Sequence, residues 1–200
     1  MGRKSKALVR RQEILSHFYE VIIEEGFEGA SIAKIAKRMD VNPSLLIHYF
    51  STKDAMVMGL IDYIVDTYSS HLMPDFSAVE DPRERWDDVL DVVSKIQWDR
   101  IISNRVFYSC YTLALRLPEV NERFQELYKG LVNTLEIEIR HASEARLIPV
   151  TDPKMAAQMM ISFMEGINFY QHIASPPLEV ENREALMKKS IVAMLTCGEF

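Results

Sequence analysis

Between Ser31 and Phe50 the chain has room for two short helices and for nothing longer. Ser31 is a strong helix N-cap, and Ile32, Ile35, Ala36 and Met39 follow at the spacing of one buried helical face. Asp40-Val41-Asn42-Pro43 then interrupts the pattern. Asn42 is again a good N-cap, and Pro43 suits the first helical position, whose N–H has no partner in any helix. A second short helix therefore begins at Pro43 and reaches about Phe50. The connection is too tight for an antiparallel hairpin, so the two helices cross steeply.

The rest of the chain reads the same way. A helix over about Ala7–Glu25 carries Ile14, Leu15, Phe18 and Ile22 on one face. Gly26 is expected to stop it in the left-handed conformation, with Phe27 packing back on Ile22 as in a Schellman motif. Ser51-Thr52-Lys53-Asp54 has the form of a capping box and opens a fourth helix, to about His71. Pro74 and Asp81-Pro82 bracket a loop, and helices follow at about 82–97, 100–117, 119–146, 153–174 and 182–197. No stretch alternates as a strand. Glycine is scarce, at 7 residues, which suits long helices better than many tight turns. The expected fold is all-α, about nine helices: an N-terminal three-helix unit and a C-terminal helical bundle.

The net charge of −6 conceals an asymmetry. Residues 1–60 hold nine Lys/Arg against seven Asp/Glu, and the remainder holds 14 against 22. The first eleven residues contain Arg3, Lys4, Lys6, Arg10 and Arg11 and no acid. Such an arm beside a polyanion adds salt-sensitive affinity by releasing counterions, although a solvated, disordered start has the same composition. Cys110 and Cys197 make no disulfide framework and read as buried, reduced thiols of a cytoplasmic protein. No apolar run is long enough to span a membrane, and the start lacks the apolar stretch of a signal peptide. Met1-Gly2 begins a myristoylation pattern, but Lys6 stands where Ser or Thr is required.

Two short, steeply crossed helices form a helix-turn-helix, whose second member projects into the DNA major groove. Leu46 and Phe50 lie four apart and pack on the preceding helices. Pro43, Ser44, Leu45, Ile47, His48 and Tyr49 are left on or near the outer face. An exposed face of this kind is odd for a solvated helix and suits a surface meeting DNA. The tight turn taken alone fits an ordinary three-helix core equally well.

The wider string decides between them. Gly26-Phe27, Ser31-Ile32-Ala33-Lys34-Ile35-Ala36, Val41 to Phe50 and Lys53-Asp54 together resemble the N-terminal signature of the tetracycline-repressor (TetR) family. The likeness covers roughly the first sixty residues. It implies a DNA-binding domain over residues 1–52 and a ligand-binding and dimerisation domain over 53–200. It also implies that Ser31 and Tyr49 contact phosphate, that Lys53 clamps the backbone, and that Ser44, Leu45, Ile47 and His48 face base edges or thymine methyls, with Pro43 beside them. Asp40 replaces the glycine usual in the turn, and Ile47 replaces a frequent aromatic.

By the same resemblance the last two long helices make a dimer interface, and the chain is a ligand-responsive regulator, a repressor released from a palindromic operator by a small, largely apolar effector. Met155, Met159, Phe163, Ile167 and Tyr170, with Leu186, Ile191, Met194 and Leu195, are more apolar than one buried face explains. A larger core explains them too. Trp98, Phe107, Cys110, Tyr111, Met159, Phe163 and Asn168 are the candidate effector contacts, although such stripes are commonly plain core. An enzyme is the rival class. Glu138 and His141 form one Glu-x-x-His, but Glu165 meets Asn168 where a di-iron bundle needs a second His. No phosphate loop, nucleophile elbow or zinc spacing occurs, so no cofactor and no metal are expected. A pure protein-interaction module is a third possibility, against which the basic arm and Lys53 speak.

Overall fold

The computed structural model describes residues 3–71, 74–95, 102–173 and 180–197. Every regular element among them is an α-helix: α1 (Arg3–Gly29), α2 (Ile32–Arg38), α3 (Pro43–Tyr49), α4 (Lys53–His71), α5 (Pro82–Lys95), α6 (Asn104–Ala114), α7 (Pro118–Glu144), α8 (Pro153–Ile173) and α9 (Val180–Cys197). The chain divides into two compact units, one of Met1–Tyr68 with Asp99–Gln125 and one of Ser69–Trp98 with Glu126–Phe200. The expected division at 52/53 falls inside the first of these units.

In the first unit α1 buries Ile14, Leu15, Phe18, Val21 and Ile22, the repeat of one helical face. Against this core lie Ile35 and Ala36 of α2, Leu46 of α3 and Phe50 just beyond it, and Met56, Leu60, Ile64 and Tyr68 of α4. The backbone N–H of Ser103 donates to the Tyr19 hydroxyl at 2.7 Å and ties the approach to α6 to α1. Arg123 reaches Asp62 of α4 at 2.8 Å.

Three local expectations shift. Gly26 does break α1, but with φ 74° and ψ 171° it lies outside the left-handed helical well, in a region open essentially to glycine alone. The chain therefore makes one more turn, closed by Ala30 N–H donating to Gly26 O at 3.1 Å, in place of a Schellman stop. Phe27 packs edge-on against Phe18, with centroids 6.3 Å apart. The Schellman pattern occurs instead at the end of α2. There Asp40 takes φ 54°, its N–H donates to Lys37 O at 3.2 Å, and Val41 N–H donates to Ala36 O at 3.0 Å. The cap of α4 is Thr52, whose hydroxyl accepts from Ala55 N–H at 3.0 Å. This shift by one residue from Ser51 puts Ala55 where a capping box needs an acid or amide.

The second unit is built on α5, with Trp86, Val89, Leu90 and Val93 inward, and on the buried row Leu127, Leu131, Leu135 and Ile139 of α7. Arg85 donates to Glu138 through Nε at 2.6 Å and Nη2 at 2.7 Å. The pair is largely desolvated, with side-chain exposures of 15% and 6%. α9 packs on α5 and α8. Asp91 joins α5 to α9 by accepting from Lys188 at 2.6 Å, and it also accepts from Lys95 at 2.8 Å. Lys188 first, then Lys95, hold its carboxyl below the ordinary carboxylate value. Ile191 and Leu195, expected at a dimer face, are instead fully buried, because they extend the core row begun by Met187. Cys110 is buried as expected. Cys197 is exposed, since the last turn of α9 carries it away from the side that holds Leu195.

Candidate nucleic-acid interface

α3 has seven residues, too few to persist alone, so its place depends on what holds its two ends. At the start, Asn42 Oδ1 accepts from Ser44 N–H at 2.9 Å, and Pro43 fills the first helical position. Leu46 and Phe50 then bury completely, anchoring one side. A Cβ placed on Gly59 of α4 would lie 3.0 Å from Phe50 Cε1, so glycine there makes room for the ring. What remains outward is the set read from the sequence. Pro43, Ser44, Ile47 and His48 are exposed, and Leu45 and Tyr49 are half-buried. Ile47 has 53% of its surface open, and the His48 and Tyr49 rings meet edge-on at 5.2 Å. A single short helix thus offers two aliphatic groups, a hydroxyl, an imidazole and a phenol side by side.

Ser31, half-buried, caps α2: its hydroxyl accepts from Lys34 N–H at 3.3 Å. Lys34 is drawn back to Glu25 and to Gly29 O (2.9 Å), and Arg38 pairs with both carboxylate oxygens of Glu24 at 2.8 Å. These contacts lock α2 to α1. Lys37 and Lys53 stay exposed. Lys53 Nζ donates to the carbonyl of Phe27 at 3.2 Å, which parks the ammonium beside the Gly26 corner.

The sequence reading puts Arg11 in the basic arm as a bare positive charge. The structure gives it partners: Tyr49 O at 2.8 Å, and the Phe50 ring, whose centroid lies 4.2 Å from the guanidinium carbon. No periodicity signals a contact across 38 residues. The arm is also helical from Arg3, with Lys6 to Val9 exposed to solvent.

The candidate effector contacts fall in both units. In the first, Phe107 and Cys110 are buried and Tyr111 is half-buried. Phe107 is ringed by Tyr68, Tyr108, Tyr111 and Phe124 at centroid distances of 4.6 to 6.0 Å, a filled aromatic core. Burial pushes the Cys110 thiol up to about 12. In the second, Asn168 is buried, Phe163 is half-buried and Met159 is exposed. Trp98 lies outside the described residues. The lone Glu-x-x-His is accounted for otherwise: Glu138 accepts both hydrogen bonds of Arg85, and Glu165 accepts one from the Tyr128 hydroxyl at 3.1 Å.

On α8, Met155, Met159, Ser162, Gly166, Phe169 and Ile173 are all exposed. Their spacing alternates four and three residues, the seam of a helix that packs along another. Ala156, Met160, Met164 and Asn168 are buried on the other side of the same helix.

Comparison with known proteins agrees with this geometry. Residues 14–59 match the family described as bacterial regulatory proteins, tetR family, and residues 84–197 match the tetracyclin repressor-like C-terminal domain. The chain is 23% identical over 187 residues to the HTH-type transcriptional regulator BetI of Rhizobium meliloti, covering 94% of this chain and 90% of BetI. It is 27% identical over 161 residues to the nucleoid occlusion factor SlmA of Vibrio cholerae, covering 78% and 81%. Among solved structures, a transcriptional regulator from Saccharomonospora viridis in complex with choline superposes with a TM-score of 0.77 at 15% identity, covering 91% of this chain and 95% of that one. A TetR transcription regulator from Haloarcula marismortui gives 0.76 at 17% identity, covering 92% and 97%.

Proposed function

The chain belongs to the tetracycline-repressor family and is a DNA-binding transcriptional regulator rather than an enzyme; from that premise we propose that it acts as a homodimeric repressor, released from a two-fold symmetric operator by a small effector. The observation that carries the reading is the outer face of α3, which presents Ser44, Leu45, Ile47 and His48 together while Leu46 and Phe50 hold the helix from behind. Leu45 and Ile47 lack donors and acceptors, so they discriminate through thymine methyls and groove shape. Ser44 and His48 supply the polar base contacts, with Pro43 packing at the helix start. Ser31, Tyr49 and Lys53 hold phosphate, the last from the N-terminus of the nineteen-residue α4. Residues 1–52 serve as the reading head, and 53–200 receive the effector and the second copy.

The dimer is supported by the α8 seam. Exposed Met155, Met159, Phe169 and Ile173 on one stripe are costly in water, and Ser162 with Gly166 between them let two helices approach closely. Tyr170, next in sequence to Phe169, is 63% exposed, and Leu186 of α9 is a further exposed apolar residue at 47%. A two-fold symmetric dimer of this kind matches a two-fold symmetric operator. For the effector, the complex of the Saccharomonospora viridis regulator with choline makes a small organic molecule the first class to try.

The test is selection of duplexes from a randomised pool by the full-length chain, then nuclease footprinting. A two-fold symmetric site with half-sites about 10 base pairs or a multiple apart is expected. Gly166→Arg should give a helical monomer that no longer protects it. A single asymmetric footprint, or a monomeric wild type, would contradict the dimer. Choline added to the complex should release the duplex, and undisturbed binding would count against choline.

A further inference from the structure

Arg11 sits on α1 as the last residue of the eleven-residue basic arm, yet its guanidinium is spent on the far end of α3. Nη1 donates to Tyr49 O at 2.8 Å, and the guanidinium carbon lies 4.2 Å from the centroid of the Phe50 ring. Tyr49 is the last residue of α3. Its carbonyl is one of the acceptors that a helix end leaves without an internal partner. Phe50 takes φ −134° and ψ 103°, so the chain turns extended at once, and its N–H donates to Leu46 O at 2.8 Å. Arg11 thus does two things with one planar group: it accepts the role of a C-terminal cap, and it covers the outer face of the ring that anchors the helix. A positive charge at this end also complements the helix dipole.

We infer that Arg11 is a positioning residue for the reading helix, acting through Tyr49 and Phe50 rather than through direct contact with phosphate. The inference rests on the DNA-binding reading of α3. A seven-residue helix has barely two turns, so the fixing of its last carbonyl governs where Ile47, His48 and Tyr49 point. Lysine cannot replace the group. It carries the charge, but its compact ammonium cannot donate in plane to Tyr49 O and lie flat over Phe50 together.

The two roles separate in solution. Fluorescence anisotropy of full-length wild type, Arg11→Lys and Lys53→Ala is measured on the duplex that wild type selects from a random pool, and on an unrelated duplex, across a salt series. For Arg11→Lys the expected result is about a tenfold loss on the selected duplex, near the weight of one charge-assisted hydrogen bond. Affinity for the unrelated duplex and the slope against log salt should stay as in wild type. Lys53→Ala should lower both affinities and the slope. Circular dichroism and measurement well below the melting temperature keep a fold defect apart, since general loosening reduces both duplexes alike. Wild-type behaviour of Arg11→Lys would overturn the inference, as would parallel loss on both duplexes. Failure of wild type to select any duplex would remove the DNA-binding reading itself, which is a different outcome from either.

Discussion

Lys53 Nζ and the carbonyl oxygen of Phe27 are 3.2 Å apart, so the first residue of α4 is tied to the corner that follows Gly26. The ammonium is nonetheless exposed, and a phosphate arriving there offers it a charged acceptor in place of a neutral one.

Lys53→Ala should therefore weaken binding to all duplexes alike and reduce the slope of log affinity against log salt by about 0.9, the value of one lost phosphate contact. Salt titration by anisotropy measures it. An unchanged slope would place Lys53 outside the interface.

Gly26→Ala tests the corner itself. Nothing lies within 4 Å of a Cβ built there, so no clash arises, and the backbone conformation alone resists the substitution. A loss of about 1–3 kcal/mol is expected, read from thermal or urea unfolding. Asp40→Gly should move stability the other way, because glycine adopts φ 54° at no steric cost.

Glu138→Gln probes the desolvated pair in the second unit. Arg85 is held above its ordinary value first by its hydrogen bond to Glu138; without that partner it still stays charged, because a guanidinium is not deprotonated in proteins. Leaving that charge buried should cost about 3–5 kcal/mol. Replacing both partners by apolar residues of similar volume should cost much less. Equal losses in the two variants would deny that the pair is coupled.

Much of this fold is legible from caps and periodicity. Ser31, Asn42-Pro43 and the spacing of Ile14, Leu15, Phe18 and Ile22 fix three helices by local chemistry, and local chemistry is what a sequence displays. The slips share a cause. Thr52 replaces Ser51 as the cap, and Gly26 leaves the left-handed well, because each is settled by the turn that follows. Long-range partners carry no local mark. Arg11 beneath Tyr49, and Glu138 against Arg85, appear only when distant segments meet. Ile191 and Leu195 illustrate the remaining difficulty: an apolar residue on an amphipathic helix reads alike whether it faces its own core or a second chain.

Cys110 and Cys197 should differ sharply toward thiol reagents. Burial raises the Cys110 thiol from 9.0 to about 12, so it stays protonated and shielded at pH 8, while Cys197 is exposed. One thiol per native chain should react and two in denaturant. The sign of the linkage follows: a raised folded value stabilises the fold fully below the unfolded value. That contribution fades by about 1.4 kcal/mol per pH unit as pH climbs from roughly 9 toward 12. Cys110→Ala should flatten this alkaline decline, and a decline of unchanged steepness would deny the cause.

The central claim is that the outer face of α3 reads the duplex, and parallel selection tests it most directly. Wild type and Ile47→Ala are each offered the same randomised pool, and the enriched duplexes are sequenced. The account predicts two symmetric consensus half-sites for wild type, and for the variant a preference altered or relaxed at one matched position in each half, with the flanking positions kept. Identical consensus sequences for the two proteins would contradict it.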